Sequence, residues 1–502
     1  MEIAAPVGDR SARREVALGE EFTVSEAVEA VGMGRFQALL LLVVGMCVAG
    51  KGATITLGTF IFPGAKCDFG LSDGQESQLT IWVLVGIMIG SYTWGLMGDM
   101  AGRKISIAVA TAGGIATSAV ATVLPNVQSL SAVLLLLGFT MAGQLTDLAY
   151  LFEYTPTAYR GKSALAMGLA WALGTLGNAV SAWLIMPHYG WRILVFVTDV
   201  PYVCALGLLH LVPESAHYLA VRGREAEARK ALERMAEING VALPAGSVLV
   251  APEGRNSKEV SVRGILEKSA SSLKMMFAPS CLQMSIPTVL VWVVSGFMYT
   301  SMLLMNTEVH ATESSCTGNH KKPLYLSNKD YHDIIIVSCS EAVSQVLPIV
   351  IIDRIGRKWS MFTLFVGAMA SMIPILSGSP DPTWPMFGIR AFAQSIQLVV
   401  SVYTSEAYPT DIRAFALGVG HSASNFGTIG TPLVAQGLLH SRGIRASVGV
   451  LVAMAAAGTG AAAALPFDTT YIQLEDTAVV DGRTKDNAMD LPEELREIAS
   501  ES

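Results

Sequence analysis

Apolar residues in this chain come in blocks close to 20 long, separated by short polar segments. A block of that length crosses about 30 Å of hydrocarbon at roughly 1.5 Å per residue. Peptide groups in lipid find no water, so each block must satisfy its own backbone hydrogen bonds as a helix. Composition points the same way. Of 502 residues 52% are hydrophobic and only 15% charged, where soluble domains carry about 25% charged. The expected fold class is an all-α membrane protein with twelve transmembrane helices. The pattern predicts them at 36–60, 78–98, 105–124, 129–150, 164–186, 192–212, 281–304, 331–352, 359–377, 384–404, 414–439 and 445–466.

The polar remainder sorts into three regions. Residues 1–35 form an N-terminal segment in which Thr23-Val-Ser-Glu26 reads as a capping box for a short helix ending near Gly32. No cleavable leader is expected, because the chain is polar and mixed in charge up to Gln37. Residues 213–280 separate the predicted bundles 36–212 and 281–466, and hold a charge-laced amphipathic stretch from Arg224 to Glu237. The tail, 467–502, has ten acidic residues against three basic ones and is expected to stay disordered. Basic residues favour one set of loops: Arg10, Arg13, Arg14 and Arg35, then Arg103 and Lys104, Arg160 and Lys162, ten in 213–280, then Arg354, Arg357, Lys358 and Arg413. By the positive-inside rule this set and both termini are expected in the cytosol. Cys67 and Cys316 fall on the opposite side and are candidates for a disulfide if that side is oxidising. With a net charge of −7 there is no basic surface for nucleic acid.

The chain repeats itself. Asp99-Met-Ala-Gly102-Arg103-Lys104 recurs as Asp353-Arg-Ile-Gly356-Arg357-Lys358, and Glu153-Tyr-Thr-Pro156 through Arg160 recurs as Glu406-Ala-Tyr-Pro409 through Arg413. The offsets are 254 from 99 to 353, and 253 from 153 to 406 and from 160 to 413. Near-identical offsets imply a duplicated six-helix unit. An even number of spans separates the copies, so both have the same orientation. Parallel halves with a solute site at their interface are a known transporter plan.

These passages carry a resemblance. Gly95 through Lys104 resembles the GxxxDxxGRK loop signature of the major facilitator superfamily; the second copy has Ile349 where the leading glycine belongs. Pro213-Glu214-Ser215 resembles the PESPR-type motif of sugar porters and their relatives. Phe22 through Gly32, Pro187-His-Tyr-Gly-Trp191-Arg192, Ile352 through Lys358, and Tyr403-Thr-Ser-Glu406-Ala-Tyr-Pro409 are similar to the group of synaptic vesicle protein 2-related proteins, organic ion transporters and nicotinate transporters. The resemblance covers about 22–470. It implies two parallel-repeat six-helix bundles and transport by alternating access. It also implies an inner gate in which Asp99, Arg103, Glu153 and Arg160, with Asp353, Arg357, Glu406 and Arg413, tie the halves together in one state. A plainer reading leaves the basic members as topogenic anchors.

Ionisable groups at bilayer depth cost at least about 2.5–3.5 kcal/mol, so they face a cavity or a partner. Lys51 stands near mid-depth between Gly50 and Gly52, where the backbone can approach a ligand. Related organic ion transporters carry an acidic residue near there, so a base favours an anion. Arg390 offers a bidentate grip on a carboxylate. Asn178 and Asn425, among small residues in spans five and eleven, are further candidates for substrate contact, or for helix packing. Glu341, mid-depth in span eight, and Asp147, six residues inside Glu153, are candidate proton carriers. The plain alternatives are a fixed pair of Glu341 with Lys51 or Arg390, and of Asp147 with His421. Asp199, before Pro201, reads as a local helix-break residue, and Tyr299 and Asn306 are weaker site candidates. Gly45 through Gly52 nearly matches a phosphate loop but lacks its final Ser or Thr and any preceding strand, which excludes nucleotide binding. No nucleophile–base set, metal cluster or cofactor motif stands out, so no enzyme activity and no cofactor are expected.

The sequence thus predicts a monomeric, proton-coupled secondary carrier favouring a small organic anion, in a plasma or vesicle membrane. An organic cation or sugar-like carrier, and a non-transporting protein that binds or senses, remain as alternatives.

Overall fold

The computed structural model describes residues 14–15, 21–243, 247–248, 270–311, 326–408 and 410–469. Eleven of its helices are long and apolar enough to cross a membrane. The remaining one, span eleven, is broken: a helix over Thr410–Thr428 is followed by a wide π-type turn at Leu433–Leu438 and a short helix at Leu439–Arg442. Pro432 sits at the break, and a proline cannot donate to the helical ladder. The remaining spans, in order, are Arg35–Phe69, Asp73–Ala101, Arg103–Ala121, Val127–Glu153, Arg160–Tyr189, Trp191–Leu209, Pro279–Ala311, Asn328–Ile355, Arg357–Ser377, Thr383–Ala407 and Ile444–Ala464. Most predicted spans are a few residues short at their ends, because polar terminal turns continue the helix past the apolar window.

Three further spans are interrupted. Span four breaks at Ala142–Gly143, span six at Asp199 before Pro201, and span eight at Cys339. Asp199 accepts a hydrogen bond from Ser118 of span three, in keeping with a local role at a helix break.

The polar elements form where expected. Thr23 and Glu26 cap Val24–Val31 reciprocally, with Thr23 N to Glu26 Oε2 at 2.8 Å and Glu26 N to Thr23 Oγ1 at 3.2 Å. The amphipathic stretch folds as Glu225–Asn239, burying Ala228, Ala231, Leu232, Met235 and Ala236 against the short N-terminal helix and the first bundle. Its last residue ties back to span one: Phe36 N donates to Asn239 Oδ1 at 2.8 Å, and Asn239 Nδ2 to Gln37 Oε1 at 3.0 Å. Two two-residue parallel pairings, Arg14–Glu15 with Val241–Ala242 and Glu21–Phe22 with Ser247–Val248, are the strands among the described residues. Cys316 and the side chain of Cys67 lie outside the described residues, as does the tail beyond Thr469.

Candidate functional site

The duplicated loops give the site its frame. Gly102, at φ 107°, and Gly356, at φ 84°, make the tight turns before spans three and nine. Beside each, Arg103 or Arg357 gathers two carboxylates of its own half. Arg103 pairs with Asp99 at 2.7 Å and Glu153 at 3.1 Å. Arg357 pairs with Asp353 at 3.6 Å and donates to both oxygens of Glu406, at 2.9 and 3.0 Å. These charge clusters close within each half, whereas the resemblance implied pairs tying the halves together. Arg160 donates instead to the Thr155 carbonyl at 3.3 Å. Arg413 is half-buried in the same end of the second half.

A pair that the sequence reading did not assign completes each loop. Glu214 Oε1 accepts from Lys104 N and Ser215 N, both at 2.9 Å, while Lys104 Nζ reaches the Val212 carbonyl at 2.7 Å. In the second half Asp468 accepts from Arg357 N at 3.1 Å and Lys358 N at 3.0 Å, and Lys358 Nζ reaches the Leu465 carbonyl at 2.6 Å. Phe467–Thr469, expected to be part of a disordered tail, are therefore ordered; Thr469 also donates to Glu406 at 2.6 Å. Carboxylates placed at orphan helix N-terminal amides use the positive end of the helix dipole.

Deeper in, the ionisable side chains resolve into two buried pairs. Lys51 of span one ion-pairs with Asp147 of span four; their side chains are 5% and 0% exposed. Cys47, on the turn before Lys51, contacts Thr111 of span three at 3.9 Å. The pair thus lies inside the first half. The neighbouring glycines serve helix contact: a Cβ on Gly50 would stand 2.6 Å from the Tyr202 ring, and one on Gly52 2.7 Å from the Trp171 carbonyl. That close packing of span one on spans five and six occupies the backbone faces expected to meet a ligand.

The second pair lies where the halves meet. Glu341 Oε1 accepts from Arg390 Nε at 2.9 Å and Nη2 lies 2.8 Å away. Tyr299 Oη of span seven donates to the same oxygen at 2.9 Å, and Trp171 Nε1 of span five donates to Tyr299 Oη at 3.2 Å. A hydrogen-bonded chain therefore runs from the first half, through Tyr299, to an ion pair in the second. Glu341 Oε2 accepts no hydrogen bond among the described residues. One step toward the end opposite the basic loops, a small apolar cavity is walled by both halves, with Thr54, Gly58 and Leu84 on one side and Thr300, Leu303 and Leu304 on the other.

The other candidates take ordinary partners. Asn178 is satisfied inside the first half, donating to Thr56 at 3.1 Å and accepting from Thr198 at 2.9 Å. Asn425 donates to Ser91 at 3.2 Å and so joins spans eleven and two across the halves. His421 packs against Trp292 with ring centroids 4.6 Å apart and planes tilted by 52°, while Asp147 takes Lys51 instead. The inter-half hydrogen bonds continue toward the end opposite the basic loops, with Ser77 to the Pro432 carbonyl at 3.4 Å and Thr80 to Gln436 at 3.3 Å. Near them Glu76, Glu308 and His440 converge. The sequence reading missed that group because its members lie 232 and 132 residues apart and at span ends, where charge is unremarkable.

Comparison with known proteins places this architecture. Residues 55–478 match the "Sugar (and other) transporter" family. The chain is 30% identical over 459 residues to organic cation/carnitine transporter 7 of Arabidopsis thaliana, covering 86% of this chain and 91% of that protein. It is 28% identical over 434 residues to the synaptic vesicle 2-related protein of Bos taurus, covering 84% and 77% respectively. The fold is similar to that of the xylose transporter XylE from E. coli in a partially occluded, inward-open conformation, with a TM-score of 0.65 over 86% of this chain and 98% of that one at 16% identity. With twin six-helix halves, duplicated Asp–Gly–Arg–Lys loops and a sequence match over most of its length, the chain belongs to the sugar (and other) transporter family of the major facilitator superfamily, a multi-pass membrane transporter rather than an enzyme.

Proposed function

We propose that the chain is a secondary carrier that moves a small organic anion together with a proton, binding the solute between the halves beside Trp171, Tyr299, Glu341 and Arg390. The observation that carries this reading is the buried Glu341–Arg390 pair beneath Tyr299, the point where ionised groups of one half meet a donor chain from the other. Two ionised groups in an apolar interior tolerate each other only as a pair. A carboxylate solute takes Arg390 at low cost when a proton neutralises Glu341, so the anion and the proton enter as one electroneutral load. Lys51 and Asp147 repeat the arrangement inside the first half, making Asp147 a second carrier for the proton. Asn178 and Asn425 act as packing and inter-half contacts beside this site.

The Arg103 and Arg357 clusters hold each half's loop rigid while one half rocks against the other, and with Glu153, Arg160, Glu406 and Arg413 they form the gate end. The bias of Lys and Arg supports an orientation with that end and both termini in the cytosol of a cell or on the cytosolic face of a vesicle.

A second reading has one specific support, the Arabidopsis relative's name: organic cation/carnitine transporter. Here a cationic solute displaces Arg390 and pairs with Glu341. Uptake of radiolabelled small carboxylates and amines into proteoliposomes, with and without an inward proton gradient, separates the two. Gradient-driven accumulation of carboxylates supports the first reading, accumulation of amines the second, and accumulation of neither contradicts both.

A further inference from the structure

At the end opposite the basic loops three side chains from both halves converge. Glu76 is the fourth residue of span two, Glu308 lies in the last turn of span seven, and His440 follows the π-type turn of span eleven. One ligand atom from each lies within 4.8 Å of the other two. Glu76 is 0% exposed and Glu308 1%. Gln436 Nε2 donates to Glu308 Oε1 at 3.1 Å. Neither oxygen of Glu76 accepts a hydrogen bond among the described residues, although Lys66 Nζ of span one stands 3.0 Å from Oε2.

Two features make this more than an acidic cluster. The first is the fully buried Glu76 carboxylate, which meets the Lys66 ammonium at 3.0 Å on one oxygen and lies against a second buried carboxylate, Glu308. Two buried carboxylates side by side ionise together only where cations or a shared proton offset them, and Lys66, 21% exposed at its side chain, supplies one cation. The second is the histidine. His440 Nδ1 lies 2.7 Å from the Gln436 carbonyl, which only accepts, so Nδ1 carries the proton. Nε2 is left facing Glu308 Oε2 at 3.7 Å. A ring that donates one N–H to a backbone carbonyl and turns the other nitrogen into an acidic cavity is oriented as metal-ligating histidines are.

We propose that Glu76, Glu308 and His440 bind a divalent cation of the zinc class, and that the bound ion clamps the two halves together at this end. One imidazole nitrogen and two carboxylate oxygens with a fourth position for water make a tetrahedral zinc set. Calcium calls for more oxygen ligands than are present, and magnesium, which prefers oxygen donors and keeps several waters, gains little from the imidazole. Glu76 belongs to the first half and Glu308 and His440 to the second, so the ion bridges the seam that must part when the carrier reverses its access. Lys66 competes for Glu76 and swings to solvent when the ion enters.

The test is calorimetric titration of Zn2+ into the purified full-length chain in detergent at neutral pH, repeated with Mg2+. Wild type is expected to bind one Zn2+ more than the near-isosteric Glu76→Gln, or to bind it at least about tenfold more tightly. His440→Ala and Glu308→Gln are expected to behave like Glu76→Gln, and Lys66→Met to bind Zn2+ more tightly than wild type. Each variant is first checked for a monodisperse elution profile, and Lys66→Met, which removes no ligand, keeps the proposal exposed if a ligand variant fails to fold. Equal Zn2+ stoichiometry and affinity in wild type and all ligand variants overturns it, as does Mg2+ binding at the same site with equal strength. The result is independent of which solute the carrier moves.

Discussion

Glu214 and Asp468 stand 254 residues apart and do the same work in the two halves, each seating a carboxylate on the opening amides of the helix that follows a left-handed glycine. The offset equals that of Asp99 and Asp353. The duplication therefore extends beyond the loop signatures to the residues that receive them.

Glu214→Ala and Asp468→Ala each strip a cap from a helix start and are expected to cost about 1–2 kcal/mol. Thermal unfolding in detergent checks this as a drop of a few degrees in Tm. Glu214→Gln keeps one acceptor oxygen and should lose less. Similar losses in the two halves follow from their matching geometry.

The Lys51–Asp147 pair carries a sharper expectation. Removing one partner by Lys51→Met or Asp147→Leu leaves a buried charge alone and should destabilise by about 3–5 kcal/mol. Replacing both at once should recover most of that loss, because two apolar side chains leave no charge stranded. Unfolding midpoints of the two single variants and the double variant measure the difference. If Asp147 also carries a proton, the double variant regains stability but not the proton dependence of uptake.

The donor chain across the seam predicts a separation of stability from transport. Tyr299→Phe keeps the ring and Trp171→Phe trims it, and each removes a hydrogen bond to Glu341 or to its donor. Hydrogen bonds to charged groups are worth about 1.5–3 kcal/mol, so Tyr299→Phe should slow uptake about tenfold or more. The elution profile should stay near wild type and Tm should fall by no more than a few degrees, and Trp171→Phe should be milder on both counts.

A pH effect belongs outside the membrane, at Glu29 of the short N-terminal helix. Its carboxylate accepts from Thr157 N at 2.6 Å and Thr157 Oγ1 at 2.5 Å. Those two bonds, the hydroxyl's first, hold its pKa below the usual carboxylate value of 4.5. A lowered folded-state pKa means the docking contribution is complete above about pH 4.5 and fades as pH falls through the folded value. Hydrogen exchange over Val24–Val31 should speed up on acidification in that window, and Glu29→Gln should remove the change.

Much of the fold was legible because lipid enforces it: apolar length fixed the spans, and motif offsets exposed the duplication. What periodicity could not convey was pairing. Lys51 invited an anion until the structure supplied Asp147 from span four, and Asp147 looked available to His421, which instead packs on Trp292. Arg103 and Arg357 promised links between halves and proved to bind within them. Such outcomes depend on helix rotation, which a hydrophobic block does not encode. The Glu341–Arg390 pair is one of the options the sequence offers, whereas its donor Tyr299 does not stand out in a span where most residues face inward. The break near Pro432 was missed because the block reads as continuous apolar sequence on both sides of it.

In the proposed cycle a proton on Glu341 frees Arg390 for the solute. This step is tested most directly by carboxylate uptake into proteoliposomes bearing Glu341→Gln, with and without an inward proton gradient. This variant is expected still to exchange solute across the membrane but no longer to accumulate it when the gradient is imposed. Gradient-driven accumulation by Glu341→Gln equal to that of wild type would contradict it.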